Sequence, residues 1–267
     1  MTPRVLLLGG HGKISRLLTP LILSRSWQLT SMIRDSPQKP TITALGKDQP
    51  GELEVLVSSL EEIKTQAQAQ SIIDSTSPNY VVFSAGSGGK GGPERTLAID
   101  RDACIAFARA SVATPSVTKF IVVSYIGSRK SKAAWWSEGE WKACQEANDG
   151  VLKSYYPAKL AADECLTALS AKRGAGFAGI SLRPGSLTEE EGEGKVALGQ
   201  TAARGSVRRG DVARVAMGLL ESESVKSCWL DLLEGGETVE GAVRRCVSEG
   251  IDCKEGEDVE GMAKEWA

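Results

Sequence analysis

A single histidine stands among the 267 residues, and the six cysteines (Cys104, Cys144, Cys165, Cys228, Cys246 and Cys253) contain no Cys-x-x-Cys pair. A structural zinc site needs clustered ligands, so no metal is expected, and the thiols are expected to be free in a reducing compartment. Basic residues are not in excess: 32 Lys and Arg against 34 Asp and Glu leave a net charge of -2. That is too little to neutralise a phosphate backbone, so nucleic acid is not an expected partner. No apolar run approaches the roughly 18 residues of a membrane span, and no early segment has the layout of a secretory leader. The expectation is a cytoplasmic chain, away from membranes, that acts on a small molecule as a monomer or dimer.

What is present begins with Val5-Leu6-Leu7-Leu8, an uninterrupted apolar run followed by Gly9-Gly10-His11-Gly12-Lys13-Ile14-Ser15. A short apolar run that ends in glycines reads as a strand buried on both faces, the habit of a parallel sheet. Gly9 and Gly12 permit a tight strand-to-helix turn and a close approach of a dinucleotide to the backbone. The new helix then offers its free N–H groups to a pyrophosphate. Gly9, Gly10, His11, Gly12, Lys13 and Ile14 are therefore candidate cofactor contacts, with Ser15 where the fingerprint has its third glycine. Apolar positions 14, 17, 18, 21 and 22 form one helical face, which Pro20 should kink or loosen.

Trp27–Ile33 reads as a second strand with Arg34 and Asp35 at its end. An arginine there favours the 2′-phosphate of NADP, whereas a carboxylate favours the ribose diol of NAD. Arg34 comes first, so NADP is preferred, and Asp35 keeps NAD open. Glu54–Ser58 reads as a third strand that brings Ser59 and Leu60 near the adenine. Asn79–Ser84 is a fourth, running into a glycine-dense stretch. There Ala85 and Gly86 are expected beside the cofactor's ribose and pyrophosphate, and residues 87–92 read as a linker. A helix over Leu97–Ala113 leads to a fifth strand that ends at Val123 and Ser124. Strands alternating with helices, without hairpin signals, predict an α/β fold: a doubly wound parallel sheet of the Rossmann type. The domain is read as single over 1–267, with small C-terminal elements and a substrate side formed by about 125–150 and 185–267. Ligands of such sheets bind outside the carboxyl ends of the strands, where all of these residues fall.

Arg129–Gly150 is polar, too long for a tight connection and holds Trp135, Trp136 and Trp141, which suggests a lid or substrate loop. Its tryptophans could equally pack the loop onto the body. Next, Tyr155 and Lys159 lie four apart on one helical face. A lysine ammonium favours the ionised form of a nearby phenol, and such a tyrosine can give a proton to a carbonyl oxygen or take one back.

Gly9–Ser15, Val122–Gly127, Tyr155–Asp163 and the Ser-Leu-Arg-Pro-Gly-Ser-Leu-Thr stretch at 181–188 together resemble an atypical short-chain dehydrogenase/reductase. The resemblance is to the NAD(P)-binding, NmrA-like branch that includes the biliverdin and flavin reductases, and it covers roughly residues 4–235. It implies that Pro184, Gly185, Ser186 and Leu187 pass beside the nicotinamide, with Val123 and Ser124 also against the cofactor. Tyr155 would be the acid/base, Lys159 its electrostatic partner and ribose clamp, and Ser124 a carbonyl hydrogen-bond donor. The family's serine slot falls at Ser124 or at Tyr125 depending on alignment. The implied activity is an NAD(P)H-dependent oxidoreductase acting on a small carbonyl or related substrate. Two alternatives stay open: a non-catalytic NAD(P) sensor, and an NAD-dependent epimerase/dehydratase. Residues 189–194 read as an acidic loop without a ligand role, Asp211 as an N-cap, and the tail from Glu249 as charged and uninformative.

Overall fold

Val5 and Leu7 point into one hydrophobic core, and Leu6 and Leu8 point into another, all at no more than 1% exposure. This is what an apolar run in a doubly covered strand must do, since successive side chains leave opposite faces. The computed structural model describes residues 2–88 and 91–267. In chain order it has β1 (Arg4–Leu8), α1 (Lys13–Leu23), β2 (Gln28–Ile33), α2 (Lys39–Leu45), β3 (Glu52–Val57), α3 (Gln66–Thr76) and β4 (Tyr80–Phe83). There follow α4 (Gly92–Thr96), a π-helical stretch Leu97–Ala103, α5 (Cys104–Ala113), β5 (Lys119–Val123), α6 (Glu138–Asp149), α7 (Tyr155–Arg173) and β6 (Ala178–Pro184). The last part comprises β7 (Ser186–Thr188), β8 (Lys195–Gly199), β9 (Ser206–Arg208), α8 (Arg209–Glu221), β10 (Cys228–Glu234), β11 (Glu237–Thr238), α9 (Val239–Glu249) and α10 (Val259–Trp266).

Seven parallel strands in the order β3-β2-β1-β4-β5-β6-β10 continue into β8, antiparallel to β10, and then β11, antiparallel to β8, and β7 and β9 form a small separate pair. The expected doubly wound α/β sheet is present. Helices α1, α8 and α9 cover one face, and α3, α5 and α7 cover the other. Helix α1 runs through Pro20 unbroken, so the expected loosening does not end it. No helix among the described residues is long and apolar enough to cross a membrane.

Several expectations are corrected. Arg129–Gly150 is not an open lid, because α6 occupies more than half of it, started by a reciprocal cap between Ser137 and Glu140. The indole N–H groups of Trp135 and Trp136 both donate to the Thr201 carbonyl, at 2.9 and 2.8 Å. The tail forms α10, and Glu257 within it is buried against Arg129 at 3.8 Å. Asp211 does not cap α8, which begins two residues earlier; its carboxylate instead accepts from the backbone N–H groups of Glu193 and Gly194. The 87–92 linker holds the left-handed residues Gly88 and Gly91 and passes into α4, while Gly89 and Lys90 lie outside the described residues.

Arg183 of β6 is fully buried at the centre of this arrangement. Its guanidinium donates to Asp231 (2.9 Å), to the Ser128 carbonyl (2.8 Å) and to the Ile126 carbonyl (3.0 Å), and lies 4.3 Å above the Trp229 ring. Removing one partner of a buried ion pair leaves the other charge uncompensated and costs about 3–5 kcal/mol, whereas an exposed pair contributes about 0–1. Arg183→Met should therefore lower the urea midpoint far more than Arg25→Met, which breaks only the exposed pair with Glu221. Equal midpoints for the two variants would remove Arg183 from this role.

Candidate functional site

The glycine turn joins two strand ends. Gly9 is left-handed at φ +84°, and a Cβ there would stand 2.7 Å from the Ala85 Cα, so β1 and the chain leaving β4 meet backbone to backbone. The Gly12 N–H donates to the Gly9 carbonyl at 2.8 Å and closes the turn. Gly12 is also the N-cap of α1, with no side chain satisfying the first-turn N–H groups. Those donors, aimed out of the sheet beside a backbone stripped of side chains, fit a dinucleotide pyrophosphate. His11 and Gly12 are half-buried there, whereas Ile14 and Ser15 point into the body. Gly10 is buried too, its N–H donating to the Met32 carbonyl. Lys13 reaches Glu189 at 2.5 Å, and Arg209 meets the same carboxylate oxygen at 2.8 Å. The acidic loop therefore lies across the turn; reading it alone could not show this, because its partners are distant in sequence.

At the neighbouring strand ends, Arg34 donates to Asp35 at 2.7 Å. Ser59 sits beside them, and its hydroxyl accepts from the Glu61 N–H. Leu60 departs from expectation: its side chain is 9% exposed and belongs to the core with Ile63, so it does not offer a face to an adenine.

Tyr155 opens α7, and Lys159 follows one turn later with its Nζ 5.5 Å from the Tyr155 ring centre. The Lys159 ammonium donates to the Val123 carbonyl at 3.0 Å and pairs with Asp100 Oδ1 at 3.1 Å, both side chains being buried. Asp100 comes from the π-helical stretch, and its other oxygen accepts from the Ser87 N–H at 3.0 Å. Burial pushes the Tyr155 phenol above its ordinary range, Lys159 opposes that, and Asp100 adds to it. Burial alone would lower Lys159, but Tyr155 first and Asp100 next favour its ammonium and raise it. The expected drop in the tyrosine's pKa is thus reversed: burial of the phenol outweighs the pull of Lys159, and the Asp100 carboxylate adds to the rise.

Ser124 lies next to this pair, yet its hydroxyl points elsewhere. It donates to Asp163 Oδ2 at 2.6 Å, as Ser128 does at 2.7 Å, while Ser181 donates to Oδ1 at 2.7 Å. A hydroxyl committed to a buried carboxylate has no hydrogen left for a substrate carbonyl, which corrects the donor role expected of Ser124. Tyr125 instead stands beside Tyr155, ring centres 5.2 Å apart, with its hydroxyl donating to Asn148 at 2.8 Å. Pro184 is buried, and its carbonyl accepts from the Ile126 N–H. Gly185 is pressed between Leu233 and the Gly205 carbonyl, with its N–H donating to Leu232. Ser186 and Leu187 are exposed on the small strand pair.

Asp100 and Asp163 are the residues that reading the chain missed. Each stands beside other charged residues (Arg101 and Asp102, Glu164), so nothing in the local sequence singles it out. The π-helical register that turns Asp100 toward Lys159 leaves no mark in hydrophobic periodicity. Two clefts, of about 880 Å³ between α2 and β3 and about 740 Å³ at the amino-terminal ends of β5 and β6, contain none of these residues. The chemistry gathers at the opposite, carboxyl edge. No group of three or more His, Cys, Asp or Glu able to hold a metal occurs among the described residues.

Residues 9–223 match the NAD(P)H-binding family. YhfK of Bacillus subtilis (strain 168), named an uncharacterized sugar epimerase, is 30% identical over 91% of this chain and 99% of its own. A Bacillus halodurans structure named for NAD-dependent epimerase/dehydratase activity has TM-score 0.72 and 25% identity, covering 91% of this chain and 99% of that one. ChuY, an anaerobillin reductase of Escherichia coli, shares the fold at TM-score 0.64 and 18% identity, over 86% and 97% of the two chains. With the match spanning most of its length and the glycine turn at its start, the chain belongs to the NAD(P)H-binding family.

Proposed function

We propose that this protein is an NAD(P)H-dependent oxidoreductase that reduces a small carbonyl or related substrate, with NADP preferred through Arg34. The observation that carries the reading is Tyr155, held as a neutral phenol beside the Lys159–Asp100 pair. The cofactor, when bound, supplies a hydride to the substrate carbon. The residues of this chain manage the proton. Tyr155 Oη gives its hydrogen to the carbonyl oxygen as the new C–H bond forms, leaving a phenolate. Lys159 stabilises that phenolate, and Asp100 holds the ammonium in place while tempering its charge. Lys159 is also the residue to meet the nicotinamide ribose, and Gly9–Lys13 with Ala85 and Gly86 line the phosphates. In this scheme Ser124 and Asp163 orient α7 and do not touch the substrate.

The names of the relatives favour a second reading, sugar epimerisation. That chemistry starts with a tyrosine that takes a proton from a sugar hydroxyl, and burial of Tyr155 works against the phenolate it requires. Reduction is the better fit to a phenol that stays protonated.

Tyr155→Phe should cut carbonyl reduction with NADPH by about 10²-fold or more, with NADPH affinity within about two-fold. Unchanged turnover would end the acid assignment. The raised phenol predicts that kcat/KM for reduction does not fall between about pH 7 and pH 9 from ionisation of Tyr155. The Asp100→Asn variant should move phenolate absorbance to lower pH than in the wild type, because Lys159 then acts on Tyr155 uncompensated. A shift to higher pH would contradict the charge assignment.

A further inference from the structure

Three successive strand ends bring Arg34, Glu61 and Arg95 to one point. Arg34 follows β2, Glu61 lies in the short turn after β3, and Arg95 is on α4, beyond β4. Both arginines face one carboxylate oxygen: Arg95 Nε is 2.9 Å from Glu61 Oε1, and Arg34 Nη1 is 3.9 Å from it. The chain makes room for this. Gly91 is left-handed at φ +86°, and a Cβ there would stand 2.3 Å from the Arg95 Cδ. The Glu61 backbone is fixed by the Ser59 hydroxyl, while its side chain is 37% exposed.

A carboxylate that accepts from one guanidinium and lies 3.9 Å from a second, itself paired with Asp35 at 2.7 Å, is an internal anion sitting in an anion site. A phosphate carries more charge and more acceptor oxygens than a carboxylate, and it matches the guanidinium fork. We infer that Arg95 is a second specificity-determining residue for the adenosine 2′-phosphate, closing a clamp with Arg34 in which Glu61 occupies the phosphate position of the free protein. The inference rests on the dinucleotide site proposed above and deepens it. Glu61 holds Arg95 and Asp35 holds Arg34 before binding, and Glu61 then yields its place. The same carboxylate sets a threshold against nucleotides without the 2′-phosphate, because only a strong anion repays its displacement.

The test is calorimetric titration of the full chain, at one fixed ionic strength, with adenosine 2′,5′-bisphosphate and adenosine 5′-monophosphate. These probes differ only in the 2′-phosphate. Arg95→Gln should weaken the bisphosphate by at least about ten-fold while changing the monophosphate less than about two-fold. Arg95→Lys, which keeps the charge and loses the fork, should fall between wild type and Arg95→Gln. Glu61→Gln removes the competing anion and should tighten the bisphosphate at least about two-fold. Equal loss of both probes in Arg95→Gln, no loss of either, or a weaker bisphosphate in Glu61→Gln overturns the clamp. If the wild type binds both probes equally well, the clamp fails and the dinucleotide site stands. If it binds neither, the site reading beneath the clamp fails as well.

Discussion

The carboxylate of Asp163 holds the reactive side of the molecule together. Fully buried on α7, it accepts the hydroxyl hydrogens of Ser124, Ser128 and Ser181 and lies 3.4 Å from the Arg183 guanidinium. Those partners come from the end of β5, the segment after it, and the middle of β6. A buried carboxylate is tolerated only when its lone pairs are met, and here three hydroxyls and a cation meet them. The result is a helix that cannot slide along the sheet. Lys159 lies one turn before Asp163, so the position of Lys159 and Tyr155 over the strand ends follows from this anchor. Arg183 extends the same network to Asp231 on β10 and ties in the last parallel strand.

The second constraint is charge balance at the edge the anchor creates. Lys159 is buried and must be paired, and Asp100 pairs it. Burial of the Tyr155 phenol is the larger reason that it stays protonated, and the pairing works in the same direction by setting a carboxylate against the pull of the lysine. The same principle operates at the ends of β2 and β3, where Glu61 stands between two arginines. Lys13 and Arg209 close on Glu189 over the glycine turn in the same way. Internal carboxylates thus stand at successive cationic groups along the carboxyl edge.

Much of this was legible in the chain, for reasons that can be named. The alternation of buried strands with amphipathic helices survives in sequence as periodicity, so the sheet and its carboxyl edge could be read from Val5–Leu8, Tyr80–Phe83 and Phe120–Val123. Gly9 was legible because only glycine meets a left-handed turn pressed onto Ala85. The Tyr155–Lys159 spacing was legible because a helix puts positions four apart on one face. Direction of side chains was not: Ser124 stands at the expected strand end but turns inward to Asp163, and Leu60 turns into the core. Contacts between distant segments were also hidden. Glu257 and the Cys253 carbonyl in the tail meet Arg129, more than a hundred residues earlier, and nothing local in either segment signals that. The tryptophans of 135–141 read as a lid because the loop is polar, yet Trp135 and Trp136 stack on Arg129 and hold the segment down. The Ser137–Glu140 cap was the local sign of a helix there.

We propose that the carboxyl edge between the glycine turn and Tyr155 forms one nicotinamide dinucleotide site. Thermal unfolding of the full chain without ligand, with NADH and with NADPH tests it most directly, since a ligand that binds only the folded state raises the midpoint with its concentration. A single site of this kind should give a concentration-dependent rise with both cofactors, larger for NADPH. Midpoints unmoved by either cofactor at saturating concentration would contradict it.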